Sequence, residues 1–432
     1  MIHKCTMCGW LYDEDKEGIT FADLADNYAC PVCTAPKGLF EPAEEVVAET
    51  SASDSTSPDL AIPVDGSMAY IQQIAASGEI VVEPAGTKLK IADWNDIVLL
   101  GAQLAKKPID GTDEANTEVT IGRNAKRPLV LGTPIMVSHM SYGALTGEQK
   151  VAIATGADAA GAAIGSGEGG LYDAELEANA RCIFEYVPHK YSVNDENLQR
   201  VGAIEIKIGQ SAKPGLGGHL PGHKVTAEIA KMRGRKEGED IISPPAFSEI
   251  ETPEDLKKLV DELREKSGGR PIGVKLAANR IEEDLEWVKI AAPDFVTIDG
   301  RGGGTGAAPK IWKDAAGVPT IYALYRARKF LDDNGLAMNL VITGGLRVSS
   351  DFVKAIAMGA DAVAVSTSIL TALAANADIA DSKKVENYLA VSNSEIQMMM
   401  GAMGVRKLSE LRVDDLATVD RDIMEFTNIK HV

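Results

Sequence analysis

The chain has 432 residues, a formal net charge of −19 and five cysteines. Its length predicts one barrel-sized domain plus a small module. The acidic balance argues against nucleic acid or an anionic membrane as a partner. Because the sequence shows neither an apolar run of about 18 residues nor a signal peptide, we expect a cytoplasmic protein.

Two Cys-x-x-Cys pairs stand near the start of the chain, Cys5 with Cys8 and Cys30 with Cys33. Such clustering indicates a metal site rather than a disulfide framework, and four thiolates can form a tetrahedral site for iron or zinc. A zinc ribbon is the alternative interpretation. Because so small a module cannot hold a core unaided, we expect its folding to depend on the metal.

The segments CTMCGWLYDED and FADLADNYACPVCTAPKGLFEP resemble rubredoxin, including its aromatic residues Trp10, Tyr12, Phe21 and Phe40. The part between Glu17 and Phe21 is shorter than is usual in that family. The resemblance implies one iron held by the four cysteines, which carries single electrons and offers no open position to a substrate. We therefore predict a rubredoxin-like iron domain over residues 1–42.

Residues 43–63 are rich in Ser, Glu, Ala and Pro without lasting periodicity, which is typical of a flexible linker. Residues 64–432 then alternate short apolar runs with helical patterns, which indicates βαβ units and a parallel sheet. Eight runs are predicted strands: PIMVSH from Pro134, AAIG from Ala162, CIFEYV from Cys182, AIEIKI from Ala203, IGVKLA from Ile272, DFVTID from Asp294, NLVITG from Asn339 and DAVAVS from Asp361. Eight strands favour a (β/α)8 TIM barrel with an N-terminal arm and a C-terminal helical tail, and an open doubly wound sheet is the alternative.

The interval between the fourth and fifth runs, residues 210–271, is too long for an ordinary connection, and we expect a functional excursion there. Gly344 and Gly345 follow the seventh run, and Ser366 and Thr367 follow the eighth, where barrels commonly bind phosphate. Tight turns without a ligand are the alternative. Lys275 lies within an apolar strand, so we expect a ligand anion or a carboxylate to face it.

Seven segments, in order along the chain, resemble the FMN-binding synthase domain of glutamate synthase: SHMSYGALTGEQ, GSGEGG, IEIKIGQSAKPGLGGHLPGHKV, IISPPAFSEI, GVKLAANR, TIDGRGGGTGAAP and ITGGLRVSSDFVKAIAMGADAVAVSTS. The likeness extends from about Trp94 to the segment GVRKLSEL. It implies FMN, a (β/α)8 barrel, and a site where an imino or oxo acid meets the flavin.

By position in these motifs, the resemblance implies cofactor contacts by Ser138, Met140, Ser141, Lys275, Asp299, Gly303, Gly304, Gly344, Gly345, Leu346, Arg347, Ser366 and Thr367. It places Gln210 and Lys213 on a 2-oxo acid and Glu168 close to the reacting centre. A glycine-rich loop with a surface lysine is the alternative interpretation of Gln210 and Lys213.

The segment with His189, Lys190 and Tyr191 departs from the family pattern, as do His219 and His223, so the resemblance does not carry glutamate over as the substrate. His189 is a candidate proton donor, and a hydrogen-bonded scaffold role is the alternative. His219 and His223 have helical spacing, but Pro221 between them argues against a metal site. Cys182 is predicted to be a small buried hydrophobe.

Complete glutamate synthases also carry a glutaminase domain and a three-iron cluster, and this sequence shows neither, nor an NAD(P)H fingerprint. We therefore expect the rubredoxin module to be the electron port, with a ferredoxin or a reductase as the external donor or acceptor. The sequence is compatible with a homo-oligomer.

The leading hypothesis is an FMN-dependent oxidoreductase that relays electrons between the iron and the flavin and reduces or oxidises a small imino, oxo or amino acid. One alternative is a flavin dehydrogenase of another small amine, N-methyl amino acid or hydroxy acid. Another is an electron-transfer adaptor without substrate chemistry, which predicts a poorly formed pocket around Gln210 and Lys213.

Overall fold

A computed structural model describes residues 2–5, 11–25, 28, 36–43, 66–109, 115–374 and 380–432. The chain divides into two compact units, Met1–Ala69 and Tyr70–Val432. Among the described residues, no helix is both long and apolar enough to cross a membrane.

The first unit contains a three-stranded antiparallel sheet in the order β2-β1-β3. Its elements are β1 (Ile2–Cys5), β2 (Leu11–Asp13), the short helix α1 (Glu14–Glu17) and β3 (Phe40–Ala43). Tyr12, Phe21 and Phe40 form its apolar core, with the rings of Phe21 and Phe40 centred 5.0 Å apart. In so small a unit, aromatic rings supply most of the area that can be buried.

The predicted metal ligands Cys8, Cys30 and Cys33 lie outside the described residues, as does Trp10. The backbone of Cys5 ends β1, but its side chain is not described. The linker predicted over residues 43–63 also lies almost wholly outside the described residues.

The second unit holds most of the secondary structure, and its strands are short. They are β4 (Val82–Ala85), β5 (Ile97–Leu99), β6 (Val119–Ile121), β7 (Leu129–Leu131), β8 (Ile135–Val137), β9 (Ile164–Gly165), β10 (Cys182–Tyr186), β11 (Ala203–Lys207), β12 (His219–Leu220), β13 (Ile241–Ile242), β14 (Ile272–Ala277), β15 (Phe295–Asp299), β16 (Thr305–Pro309), β17 (Asn339–Thr343), β18 (Ala362–Val365), β19 (Leu416–Thr418) and β20 (Lys430–His431).

The helices follow and surround these strands. They are α2 (Gly66–Ser77), α3 (Gly147–Ala159), α4 (Asp173–Ala178), α5 (Asp195–Arg200), α6 (Ala227–Arg233), α7 (Pro253–Lys266), α8 (Ile281–Ala291), α9 (Lys310–Ala315), α10 (Thr320–Asp333), α11 (Ser349–Ala357), α12 (Thr367–Leu373), α13 (Ser382–Ala402) and α14 (Arg421–Phe426).

Eight strands form a closed parallel barrel in the order β10-β11-β14-β15-β17-β18-β8-β9. Closure is made where Val365 of β18 pairs with Val137 of β8, and Val137 pairs in turn with Ile164 of β9. These are the eight strands that the apolar runs predict, so the (β/α)8 barrel is confirmed and the open sheet is excluded. Because every strand is parallel, all carboxyl ends meet at one face, the mouth of the barrel.

Helix α7 shows how local sequence sets the outer layer. Thr252 caps its amino end by accepting a hydrogen bond from the backbone N–H of Asp255, and Pro253 occupies the first turn. Leu256, Val260 and Leu263 recur at helical spacing and are buried against the barrel. The helix therefore forms one wall of the space beside the ends of β11 and β14.

The long interval between β11 and α7 forms β12, β13 and α6 in addition to loops. It packs with the loop after β10 in a separate apolar cluster, built from Val187, Tyr191, Leu220, Val225, Ile229, Ala230 and Ile241. The excursion reaches the mouth, because a Cβ on Gly218 would lie 2.6 Å from Oε1 of Glu168.

Candidate active site at the barrel mouth

Apart from His189, which follows β10, the predicted site residues of the barrel lie on its other seven strands or on the loops that follow them. Strand β8 is followed by Ser138, Met140 and Ser141, β9 by Glu168, and β11 by Gln210 and Lys213. Strand β14 contains Lys275, and β15 ends at Asp299 and is followed by Gly303 and Gly304. Strand β17 is followed by Gly344 to Arg347, and β18 by Ser366 and Thr367. The closed topology therefore brings these residues, which are scattered over the sequence, to the mouth.

A buried ion-pair group lies just inside the mouth. Nζ of Lys207 is 2.7 Å from Oε2 of Glu168 and 3.9 Å from Oε1 of Glu185. Burial alone would lower the pKa of Lys207. The carboxylates of Glu185 and Glu168 raise it by more than burial lowers it, so the pKa of Lys207 is above its ordinary value. Burial raises the pKa of Glu168, but Lys207 more than offsets this, so Glu168 is held ionised.

Deeper in the barrel, His139 and Lys275 also meet carboxylates. Nε2 of His139 is 2.8 Å from Oε2 of Glu205, and the hydroxyl of Thr297 donates to the other oxygen of Glu205. Nζ of Lys275 lies 3.8 Å from Oδ2 of Asp299, so the prediction that a carboxylate faces this lysine is confirmed. The barrel interior is therefore charged rather than purely apolar.

Gln210 and Lys213 differ from these groups because their side chains make no hydrogen bond or ion pair with another residue that the structure describes. Both side chains are half-buried. The pKa of Lys213 is below its ordinary value, mainly because of burial. The nearby Glu168 opposes this shift, and the positive charge of Lys207 adds to it. A sheltered ammonium without a protein anion is suited to bind the carboxylate of a ligand.

A cavity of about 240 Å³ opens beside this group. Glu168, Lys207 and Gln210 line its inner end. Apolar side chains from the loop before α7, from α7 and from α8 line its remainder, among them Phe247, Leu256 and Trp287. Concave apolar space with a few convergent polar groups is the usual form of a small-molecule site.

The glycine-rich loops after β15 and β17 pack against each other. Gly344 has a φ of +122°, and a Cβ there would lie 2.4 Å from the carbonyl oxygen of Gly300. A Cβ on Gly303 would lie 2.6 Å from Oδ1 of Asp299. Close packing of protein loops is therefore enough to require these glycines, and the glycines alone do not indicate a ligand.

The backbone amides near these loops say more about ligand binding than the glycines do. The amides of Gly344, Gly345 and Leu346 donate to no acceptor within the described residues, and neither do those of Ser366 and Thr367. Because β17 and β18 are neighbouring strands, these N–H groups lie at adjacent strand ends, an arrangement suited to an anion such as phosphate.

Arg347 is placed differently, because its backbone amide donates to Oδ2 of Asp351 at 3.0 Å. Its carbonyl oxygen accepts from the hydroxyl of Tyr388. Both backbone groups of Arg347 therefore serve the start of α11 and its contact with α13, and only its guanidinium is left for a cofactor.

The structure does not bring His189 to the ion-pair group. Nε2 of His189 donates to the carbonyl oxygen of Ile242 at 2.8 Å, and Nδ1 lies 3.3 Å from a guanidinium nitrogen of Arg235. Both ring nitrogens are engaged within the excursion, so the geometry favours the scaffold role over proton donation.

Cys182 is buried, as the sequence predicts, and His219 contacts a carboxylate at the surface. His219 pairs with the exposed carboxylate of Asp240 at 2.8 Å, and the part of the chain that the structure describes contains no cluster of three metal-binding side chains. Cys182 is fully buried in β10, and burial raises the pKa of its thiol. An unreactive packing role follows for Cys182.

Sequence reasoning missed Lys207, Glu185, Glu205 and His139. A signal was present for Lys207 and Glu205, since AIEIKI places two charged residues two positions apart within an apolar strand, on the same face. The argument applied to Lys275 would have found both.

Comparison with known proteins agrees with this arrangement. Residues 92–380 match a conserved region in glutamate synthase, and residues 2–40 match rubredoxin. The glutamate synthase large subunit-like protein of Rhizobium meliloti is 37% identical over 317 residues, which are 72% of each chain. The archaeal glutamate synthase (NADPH) of Methanocaldococcus jannaschii is 37% identical over 341 residues, covering 72% of this chain and 66% of that protein.

Solved structures share the fold at low sequence identity. A flavocytochrome b2 variant with benzoylformate superposes with a TM-score of 0.54 at 18% identity, covering 77% of this chain and 78% of that one. A mandelate oxidase variant with an FMN adduct gives a TM-score of 0.52 at 20% identity, covering 75% and 88%. At this level of identity the likeness concerns the barrel fold alone.

Proposed function

Because this chain belongs to the glutamate synthase family and carries a rubredoxin domain, we propose that it is an FMN-dependent oxidoreductase acting on a small 2-oxo, imino or amino acid. The observation that carries the proposal is the pair Gln210 and Lys213, whose side chains make no hydrogen bond or ion pair with the described residues and lie near an ionised Glu168.

The mouth of the barrel fits FMN. The free amides after β17 and β18 suit its phosphate, while Ser138, Met140 and Ser141 on one side and Lys275 on the other suit its ring system. Bound FMN would supply both one-electron and two-electron redox chemistry.

Four thiolates from Cys5, Cys8, Cys30 and Cys33 are a donor set that fits a single iron, which would exchange one electron at a time. The aromatic core of the first unit agrees with a rubredoxin-type domain. A ferredoxin or a reductase would then be the external redox partner.

The polar side chains near the inner end of the cavity have different roles in binding; Lys213 is not part of the cavity lining, but its charge interacts with those of Glu168 and Lys207. Lys213 binds the substrate carboxylate, and Gln210 contributes a directional amide. Because the pKa of Glu168 is lowered, Glu168 accepts a hydrogen bond from a substrate N–H rather than giving up a proton. Lys207, whose pKa is raised, remains protonated and holds Glu168 in place.

The cavity also bears on the two rival hypotheses. An adaptor without substrate chemistry predicts a poorly formed pocket, whereas a cavity of about 240 Å³ is lined in part by Gln210. A dehydrogenase of a small amine, N-methyl amino acid or hydroxy acid would use the same residues in the opposite direction. Anaerobic mixing separates the two directions, because a donor bleaches the oxidised flavin and an acceptor reoxidises the reduced flavin.

The test is Lys213→Ala in the flavin-loaded protein. We expect the FMN content to be unchanged and the second-order rate of flavin oxidation or reduction by the small acid to fall at least about 100-fold, as for loss of a charged ligand contact. The matched control is Lys224→Ala, an exposed lysine of the excursion. Unchanged kinetics in Lys213→Ala would reject the assigned substrate site.

A further inference from the structure

The cavity beside Glu168 has two chemically different ends. Its inner end is polar and contains Glu168, Lys207 and Gln210. Its outer part, which we call the apolar arm, is formed by Phe247, Ile250, Leu256, Trp287 and Val288. The arm runs away from the barrel mouth between α7 and α8, so a ligand held at the inner end can extend into it.

The described residues that line the cavity offer no free cation to a second ligand carboxylate. Among them Lys207 is the sole cation, and its ammonium already serves Glu168 and Glu185. Lys213 lies outside this lining but interacts electrostatically with Glu168 and Lys207, and it is left for the first carboxylate.

The arm is unfavourable for an anion for another reason. Asp284 lies on its wall, one turn of α8 before Trp287 and Val288. Burial raises the pKa of Asp284, which shows that this part of the cavity solvates negative charge poorly. A carboxylate placed in the arm would lose hydration without gaining an ion pair, and Asp284 would repel it.

We infer that the site takes a monocarboxylic 2-oxo, imino or amino acid whose side chain is an extended aliphatic or aromatic group, and that it disfavours dicarboxylates. This inference rests on the proposed function and specifies its substrate class. The carboxylate binds at Lys213 and Gln210, and the side chain fills the apolar arm.

The experiment is calorimetric titration of the flavin-loaded protein with 2-oxo acids of increasing chain length, from pyruvate to 2-oxooctanoate. Affinity should rise about threefold to fourfold for each methylene that enters the arm. The decisive pair is 2-oxopentanoate and 2-oxoglutarate, which share a five-carbon chain and differ in the second carboxylate. Tighter binding of 2-oxoglutarate, or affinity independent of chain length, would overturn the inference.

Two variants test whether the side chain of the ligand binds in the apolar arm. Trp287→Ala should weaken binding of 2-oxohexanoate about tenfold and change that of pyruvate by less than about twofold. The control is Ile290→Ala, an exposed apolar residue of the same helix that does not line the cavity. Equal losses for both acids in Trp287→Ala would contradict an arm that holds the side chain.

Failure of the proposed function gives a different result. If Lys213→Ala leaves pyruvate binding unchanged, or if no 2-oxo acid binds the wild-type protein, the carboxylate site itself is wrong and the inference falls with it. If pyruvate binds and depends on Lys213 while chain length has no effect, the site stands and only the substrate class is overturned.

Discussion

Lys150 is buried beneath the two loops that follow β8 and β9. Its ammonium donates to the carbonyl oxygen of Met140 at 2.8 Å and to that of Ser166 at 2.9 Å, and it lies 2.8 Å from Oε1 of Glu175. The side chains of Lys150 and Glu175 are each 1% exposed. Burying an ion pair costs desolvation free energy, so this pair is weak evidence for added stability. Its role is instead to hold together the two loops that follow β8 and β9.

We predict a pH effect on stability from Glu175. Burial raises its pKa to about 7, although Lys150 opposes the shift, so the folded state binds this proton more tightly than the unfolded chain does. The contribution of Glu175 to stability therefore falls as pH rises from about 4.5 through about 7, by up to about 3 kcal/mol. Urea unfolding of Glu175→Gln between pH 5 and 8 should show the variant gaining stability relative to wild type as pH rises.

The control for this experiment is Glu177→Gln, an exposed carboxylate on the same helix. Its difference in unfolding free energy from wild type should not vary with pH. A Glu175→Gln difference that is equally flat would show that the two proteins titrate alike, and the buried carboxylate would then not be responsible.

Single residues were predictable where one element contains the whole signal. Lys275 was found because a charge stands out in an apolar strand, and Asp299 proved to be its partner. His189 shows the limit, since its role depends on Ile242 and Arg235, which are more than 40 residues away in sequence. No local pattern shows which atoms a loop histidine will meet after folding.

At the scale of elements, the barrel strands were predictable and the peripheral ones were not. Strands covered on both faces tend to be near-continuous apolar runs, and all eight are recognisable in the sequence, although some carry one or two charged residues. By contrast, β5 pairs with β19 from the far end of the chain, and β4 pairs with β16. Pairs of three to five residues carry no periodicity from which a distant partner could be deduced.

The interlocked loops at the mouth give a prediction for glycine substitution. In Gly344→Ala the new Cβ would meet the carbonyl oxygen of Gly300, and the φ of +122° would be strained as well. We expect a loss of about 2–4 kcal/mol in unfolding free energy and at least about a tenfold loss of FMN affinity, because the free amides of this loop would shift. Denaturant unfolding and flavin titration measure the two effects.

Gly401→Ala is the matched control for the loop variant. Gly401 lies in α13, and a Cβ there would meet nothing within 4 Å. This substitution should be neutral or stabilising by up to about 1 kcal/mol, with unchanged FMN affinity. If Gly344→Ala behaved like Gly401→Ala, the close packing of the two loops would not matter to the site.

At the scale of the whole molecule, the chain joins a module with four cysteines to a barrel whose buried charges line one end of a cavity. A single iron carries one electron, whereas converting an imine to an amine requires two. The proposed relay therefore needs a centre that accepts electrons singly and delivers them in pairs, and FMN is such a centre. Each unit alone would lack either the electron port or the substrate site.

The visible spectrum tests whether the protein contains both an iron-thiolate centre and a flavin. Aerobically purified protein should show flavin bands together with an iron-thiolate envelope, and both should bleach on anaerobic titration with dithionite. The double variant Cys30→Ser with Cys33→Ser should lose the iron and its envelope, keep the flavin bands, and accept electrons from dithionite but far more slowly from a reduced ferredoxin. Zinc in place of iron in the wild-type protein would leave the first unit with a structural or docking role, and electrons would then have to enter the flavin directly.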